Sequence, residues 1–200
     1  MDQSTSVRTL DEKVAFLAVL FEAHGIPYAI GGAVALLYWG EPRGTVDIDV
    51  NVFLPSADAR RIAEVLVAGG LRFDEVRVVA DVAATGQVRV DFAGTPLDLF
   101  FLDVPFHDSC NTRKVRVPFG DGEMNVLSAE DLVVCKAMFN RPKDWADIEQ
   151  VLYTVGERFE VQYARRWLIE MLGAEDERTV HLERLAAEAR SWLETNRPNP

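Results

Sequence analysis

Apolar and polar residues alternate where Val46, Ile48, Val50 and Val52 interleave with Asp47, Asp49 and Asn51. That is strand period. It predicts a strand over residues 46–54, with one apolar face and one face carrying both aspartates and Asn51. Upstream the pattern is helical. Val14, Leu17, Leu20 and Phe21 recur at helix spacing and are expected to pack on a sheet. Thr9 and Glu12 have the form of a capping box, and Gly25 closes that helix. Residues 27–30 read as a first strand, residues 33–39 as a helix entered through Gly31 and Gly32, and residues 40–44 as a loop. Ser56 opens a helix that ends at Gly69 and Gly70, with Arg60 and Arg61 on its solvated side. Residues 73–80 predict a strand.

Residues 86–103 predict a hairpin. Val88, Val90 and Phe92 share one face of its first strand, and Arg89 and Asp91 share the other. The turn is placed at residues 93–96. In the second strand, Leu97, Leu99 and Phe101 lie opposite Asp98, Phe100 and Leu102. Residues 103–111 read as a loop or short helix. His107 and Asp108 lie there; His107 has no second histidine or cysteine at ligand spacing and is expected to pack locally. Residues 114–117 and 124–127 resemble short edge strands. From Ser128 onward the pattern is helical throughout. Ser128 caps a helix that breaks near Asn140 and Pro142. Helices over residues 143–155, 161–172 and 176–195 follow, and the tail over residues 196–200 is expected to fray. The fold class expected is α/β (α+β), a mixed sheet flanked by helices over residues 1–127, with a helical region over residues 128–200 packed on that core. No internal repeat interrupts this plan.

Composition narrows the possibilities. Two hundred residues, 48% of them hydrophobic, suffice for about one domain with a buried core. No apolar run reaches the length of a membrane span, and the polar, acidic first dozen residues lack targeting character. Cys110 and Cys135 are too few and too far apart for a zinc site or disulfide framework, so a soluble, cytoplasmic protein with two free thiols is expected. The formal net charge of −11 disfavours broad nucleic-acid binding, though not one local basic patch.

Candidate chemistry centres on residues 30–53. Two carboxylates two residues apart on a strand repel unless something neutralises them, and a divalent ion would do so. A wet acidic strand face is the plainer alternative. Gly31 and Gly32, between a strand and a helix, let backbone N–H groups approach a phosphate, or simply make a tight turn. Asp98 is an acid on an otherwise apolar strand, where a carboxylate is costly unless paired or metal-bound. Asp91 is the alternative third acid and also fits a surface pair with Arg89. Lys136 lies on an apolar helix face beside Leu132, Val133 and Met138; it could snorkel to water or reach a triphosphate as a point charge. Asp144 and Asp147 share a face in the first turns of the next helix, where the dipole favours acids.

Taken in order, Gly31, Gly32, Ala33 and Leu36, followed by Arg43, Thr45, Asp47 and Asp49, resemble the nucleotidyltransferase superfamily related to DNA polymerase β. The form is most similar to the AbiEii-type, type IV toxin subgroup. A second stretch, with Lys136 followed by Arg141, Lys143, Asp144 and Asp147, also resembles the family, so the resemblance covers roughly residues 25–150. It implies a nucleotidyltransferase-like sheet and transfer of a nucleoside monophosphate from an NTP to an acceptor hydroxyl, with release of pyrophosphate. Asp47, Asp49 and Asp98 would hold two Mg²⁺ ions. Asp98 would also be the acid nearest the acceptor. Gly31 and Gly32 would cradle phosphates, Arg43 and Lys136 would supply positive charge, and Thr45 would order the loop. Lys136 and Asp144, and with less weight Arg141, Lys143 and Asp147, are carried over as residues of nucleotide handling and activity.

Three functions are compatible with that resemblance. A toxin-like enzyme would modify RNA, for which the tRNA 3′ end is the family precedent, or a protein, and would have a cognate antitoxin. A small-molecule enzyme would modify an aminoglycoside or lincosamide antibiotic, and net acidity suits a polycationic acceptor. A non-catalytic, antitoxin-like member would use the fold for binding; the intact set of acids argues against it.

Overall fold

The computed structural model describes residues 8–101 and 103–196. Leu102 and the tail from Arg197, for which a strand position and fraying were expected, lie outside the described residues, as do the first seven. The chain divides into two compact units, one of residues 1–34 and 44–126, the other of residues 35–43 and 127–200.

The first unit is built on a mixed six-stranded sheet, as the sequence pattern anticipated. Its strands are β1 (Tyr28–Ile30), β2 (Ile48–Val52), β3 (Gln87–Phe92), β4 (Thr95–Phe100), β5 (Val115–Phe119) and β6 (Gly122–Val126). They lie in the order β3-β4-β2-β1-β6-β5. β2 runs parallel to β4, and β1 runs parallel to β6; the other pairs are antiparallel. Helix α1 (Leu10–Ala23) begins with the expected reciprocal cap between Thr9 and Glu12. It buries Val14, Leu17 and Phe21 completely. Fully buried Ile30, Ile48, Val50, Val52, Leu97 and Leu99 supply the sheet's side of the core. Helix α2 (Gly32–Trp39) follows β1 directly.

Four expectations need correction. Residues 73–80 are not a strand: α3 (Ala59–Ala68) is followed by α4 (Glu75–Thr85). Valine-rich composition suggested β structure, but Asp74 caps the N–H groups of Val76 and Arg77, Val78 and Val82 bury one helical stripe, and left-handed Gly86 ends the helix. Val46 lies outside β2 and is 76% exposed, because the chain bends there before the strand begins. Asn51, placed on the polar face, is buried. Finally, residues 122–126 are no edge. β6 pairs with both β1 and β5, so only β3 and β5 bound the sheet. Residues 105–113 form helix α5 (Pro105–Arg113), with Pro105 in its first turn; buried His107 packs its ring 4.7 Å from that of Phe53.

The hairpin turn is tighter than expected. β3 and β4 are joined by Ala93 and Gly94 alone, both with positive φ (49° and 81°), the backbone demanded by a two-residue turn matched to strand twist. The buried Lys13 ammonium donates to the Ala93 carbonyl and the Thr95 hydroxyl at 2.8 and 2.7 Å, which braces an alanine in that unfavourable conformation.

The second unit contains helices α6 (Ala129–Phe139), α7 (Pro142–Val155), α8 (Val161–Leu172) and α9 (Glu177–Thr195). The Ser128 hydroxyl accepts from the Asp131 N–H and caps α6. Left-handed Asn140 ends α6, and Pro142 opens α7. Within the unit, Trp39 donates its indole N–H to the Leu127 carbonyl at 2.8 Å. Cys110 and Cys135 are not joined in a disulfide.

Candidate active site

In the first unit, parallel pairing sets Asp49 of β2 directly beside Asp98 of β4. Neighbouring parallel positions point to the same side of a sheet, so the two carboxylates share a face. Asp47 sits just before β2. The Thr45 hydroxyl donates to its carboxylate, and the same hydroxyl makes a longer contact with the Asp47 carbonyl. Thr45 therefore orients one acid as well as the loop.

The glycines take different parts. Gly31 donates its N–H to the Asp49 carbonyl at 2.8 Å, so that donor belongs to the β1–β2 junction. Gly32 begins α2 with φ of +55°, and a Cβ there would lie 1.8 Å from Asp49 Oδ2. Only glycine lets the carboxylate lie against the helix N-terminus, where the positive end of the helix dipole favours an anion. The Gly-Gly pair thus serves the acid directly.

Arg89 of β3 faces Asp98 in the hairpin register. Its Nε and Nη2 donate to the two Asp98 oxygens at 2.7 and 2.6 Å. Asp91, the alternative third acid that also fitted a pair with Arg89, instead accepts the Gly94 N–H at 3.0 Å. Hydrogen bonds donated to Asp98, then the charge of Asp98, hold the Arg89 guanidinium above its ordinary range, and the charges of Asp47 and Asp49 add to this. Three acids therefore act on one cation. Sequence reasoning missed this partner because a four-residue turn hides the register, whereas a two-residue turn sets Arg89 opposite Asp98.

The second unit gathers a separate set. Asp147 of α7 accepts from Arg43 Nε and Nη2 and from the Lys136 ammonium, the last at 2.6 Å. Lys136 does not snorkel: its side chain is 4% exposed. Burial raises the Asp147 carboxyl, but the hydrogen bonds from Arg43 and Lys136 outweigh this and hold it below the usual carboxylate range. Asp144, also buried, accepts the Arg141 N–H at 3.2 Å and two guanidinium bonds from Arg141, closing the start of α7. Lys143 is exposed beside them.

A family model described as nucleotidyl transferase AbiEii toxin, type IV toxin–antitoxin system, matches residues 16–196. Among solved structures, the antibiotic-resistance factor ANT(2'')-Ia is similar over 95% of this chain and 96% of its own, at 15% identity and a TM-score of 0.52. An antigenic nucleotidyltransferase-like protein from Paracoccidioides brasiliensis is similar over 87% of this chain and 92% of its own, at 18% identity and a TM-score of 0.50. These likenesses show a shared fold. No curated protein matches the chain.

Among the described residues, no three acidic, histidine or cysteine side chains are already gathered as a metal cage. The donor chemistry nonetheless fits a divalent cation. Asp49 and Asp98 are in register, both offer hard oxygen ligands, and Arg89 stands in as the cation they neutralise together with Asp47.

Proposed function

Because the chain belongs to the AbiEii family of nucleotidyltransferase toxins, we propose that it moves a nucleoside monophosphate from an NTP to the hydroxyl of an RNA or protein acceptor. The observation that carries this reading is the register of Asp49 against Asp98, with the Asp49 carboxylate lying over Gly32. Asp47, Asp49 and Asp98 are the residues that would hold Mg²⁺. When bound, the ion would acidify the acceptor hydroxyl and neutralise the departing pyrophosphate.

The chain's own groups divide the remaining work. Asp98 takes the proton of the acceptor hydroxyl as its oxygen attacks the α-phosphorus. The bond from that phosphorus to the bridging oxygen breaks, and pyrophosphate leaves with the electron pair. The first-turn N–H groups of α2, beginning at Gly32, receive phosphate oxygens. Thr45 keeps Asp47 in position. Arg43 and Lys136 are the cations the family resemblance assigns to the triphosphate; both pair with Asp147. Arg141 and Asp144 hold the start of α7 for them.

An RNA or protein acceptor, and a cognate antitoxin, are supported by the family. An aminoglycoside-like acceptor is the competing reading, favoured by the net charge of −11. One experiment tests both. The protein is incubated with each α-³²P-labelled NTP and, in separate arms, total RNA, cell lysate and aminoglycosides. Label in RNA or protein that disappears with Asp47→Ala supports the proposal. Label confined to the antibiotic arm replaces it with the second reading, and transfer that survives Asp47→Ala rejects the assignment of the acids.

A further inference from the structure

Both oxygens of Asp98 are occupied by the fork of Arg89. The two partners differ in exposure: the Arg89 side chain is 63% exposed and the Asp98 side chain 15%. Arg89 also stands on β3, an edge strand, and reaches inward across the hairpin. A guanidinium so placed can swing into water without stranding a buried charge of its own. Asp98 cannot follow it. Left alone beside Asp49, the half-buried carboxylate would need another cation.

We propose that Arg89 is a built-in competitor for the divalent cation, neutralising Asp98 in the metal-free protein and yielding at least one Asp98 oxygen before the acids can share an ion. The inference rests on the metal-site reading above. The arginine would offset the repulsion of acids gathered on one sheet face until an ion arrives. It also makes metal affinity lower than the acids alone would give, because binding must first undo a two-bond ion pair. The released guanidinium is then free in solvent at the rim of the acidic face.

The test is Mn²⁺ binding, followed by electron paramagnetic resonance, on the full chain and on Arg89→Gln, Arg89→Lys and Asp49→Asn variants, with melting curves at each Mn²⁺ concentration. Arg89→Gln is expected to bind Mn²⁺ about fivefold more tightly than the parent, as the loss of one exposed ion pair allows. Its metal-free form should melt lower, with the gap closing as Mn²⁺ is added. Arg89→Lys keeps the charge but loses the fork, so its affinity should rise by about twofold. Wild-type or weaker affinity in Arg89→Gln overturns the proposal; should that variant not fold, unchanged affinity in Arg89→Lys does the same. Asp49→Asn separates the two levels. If it loses Mn²⁺ binding while the arginine variants bind like the parent, only the competition is rejected. If it binds like the parent, the metal site itself is rejected.

Discussion

The sheet and the helical unit each hold an aspartate gripped by cations, but the grips differ. Asp98 is met from the solvent side by an arginine that is 63% exposed. Asp147 is met by a lysine that is 4% exposed and by an arginine that is 32% exposed. An exposed partner contributes little and can be exchanged. A buried partner cannot leave without stranding a charge, which is costly. The contrast separates an ion pair open to solvent from one closed within a helical network. It also explains why two similar Asp-rich motifs should respond differently to the same substitution.

The largest effect that would sharpen this contrast is Asp49→Asn. Labelled transfer should fall by on the order of a thousandfold. The urea midpoint should barely move, because removing one of two adjacent acids relieves repulsion. A large loss of stability would place Asp49 with Asp147 and break the distinction. Next is Gly32→Ala, whose Cβ would collide with the Asp49 carboxylate. Activity should fall on the order of a hundredfold by displacing that acid, with a stability cost of about 1–3 kcal/mol for the left-handed backbone. Unchanged transfer would mean the position of the carboxylate over the helix is irrelevant.

On the other side of the comparison, Asp147→Ala should cost about 3 kcal/mol in urea denaturation, because it strands the Lys136 ammonium. This loss carries a pH signature. The folded-state carboxyl of Asp147 is depressed, so its contribution is present above the unfolded value of about 3.9 and disappears as pH falls through the lower folded value. The stability gap between parent and Asp147→Ala should therefore be constant near neutrality and shrink only below about pH 4. A gap that shrinks between pH 5 and 8 would point to another group. The smallest expected effect is that of Thr45→Val, which removes the hydroxyl that orients Asp47. Transfer should drop by about tenfold with little change in melting, in line with the loss of one hydrogen bond. No change in transfer would return Thr45 to a purely local role in the loop.

Much of this was readable along the chain. Alternation around Asp47 and Asp49, the caps at Thr9 and Ser128 and the break at Asn140 and Pro142 are local signals, and the corresponding strand and helices form. Local signals also misled where two codes competed. In residues 73–80, valine content outweighed the Asp74 cap and Gly86 stop. At Val46, simple alternation concealed a bend made by a hydroxyl two residues from its acid.

What the amino-acid order alone determined was which acids exist, that Asp49 lies on a strand and Asp98 on a hairpin, and that glycine precedes the helix. These follow from periodicity and turn chemistry, whose range is a few residues. Only the folded chain decided which acid each cation meets. Strand order and hairpin register put Asp49 beside Asp98 and Arg89 across from it, while helix packing delivered Lys136 and Arg43 to Asp147. Such pairings join residues distant in sequence, and burial sets their strength, so neither is written in any short stretch of the chain.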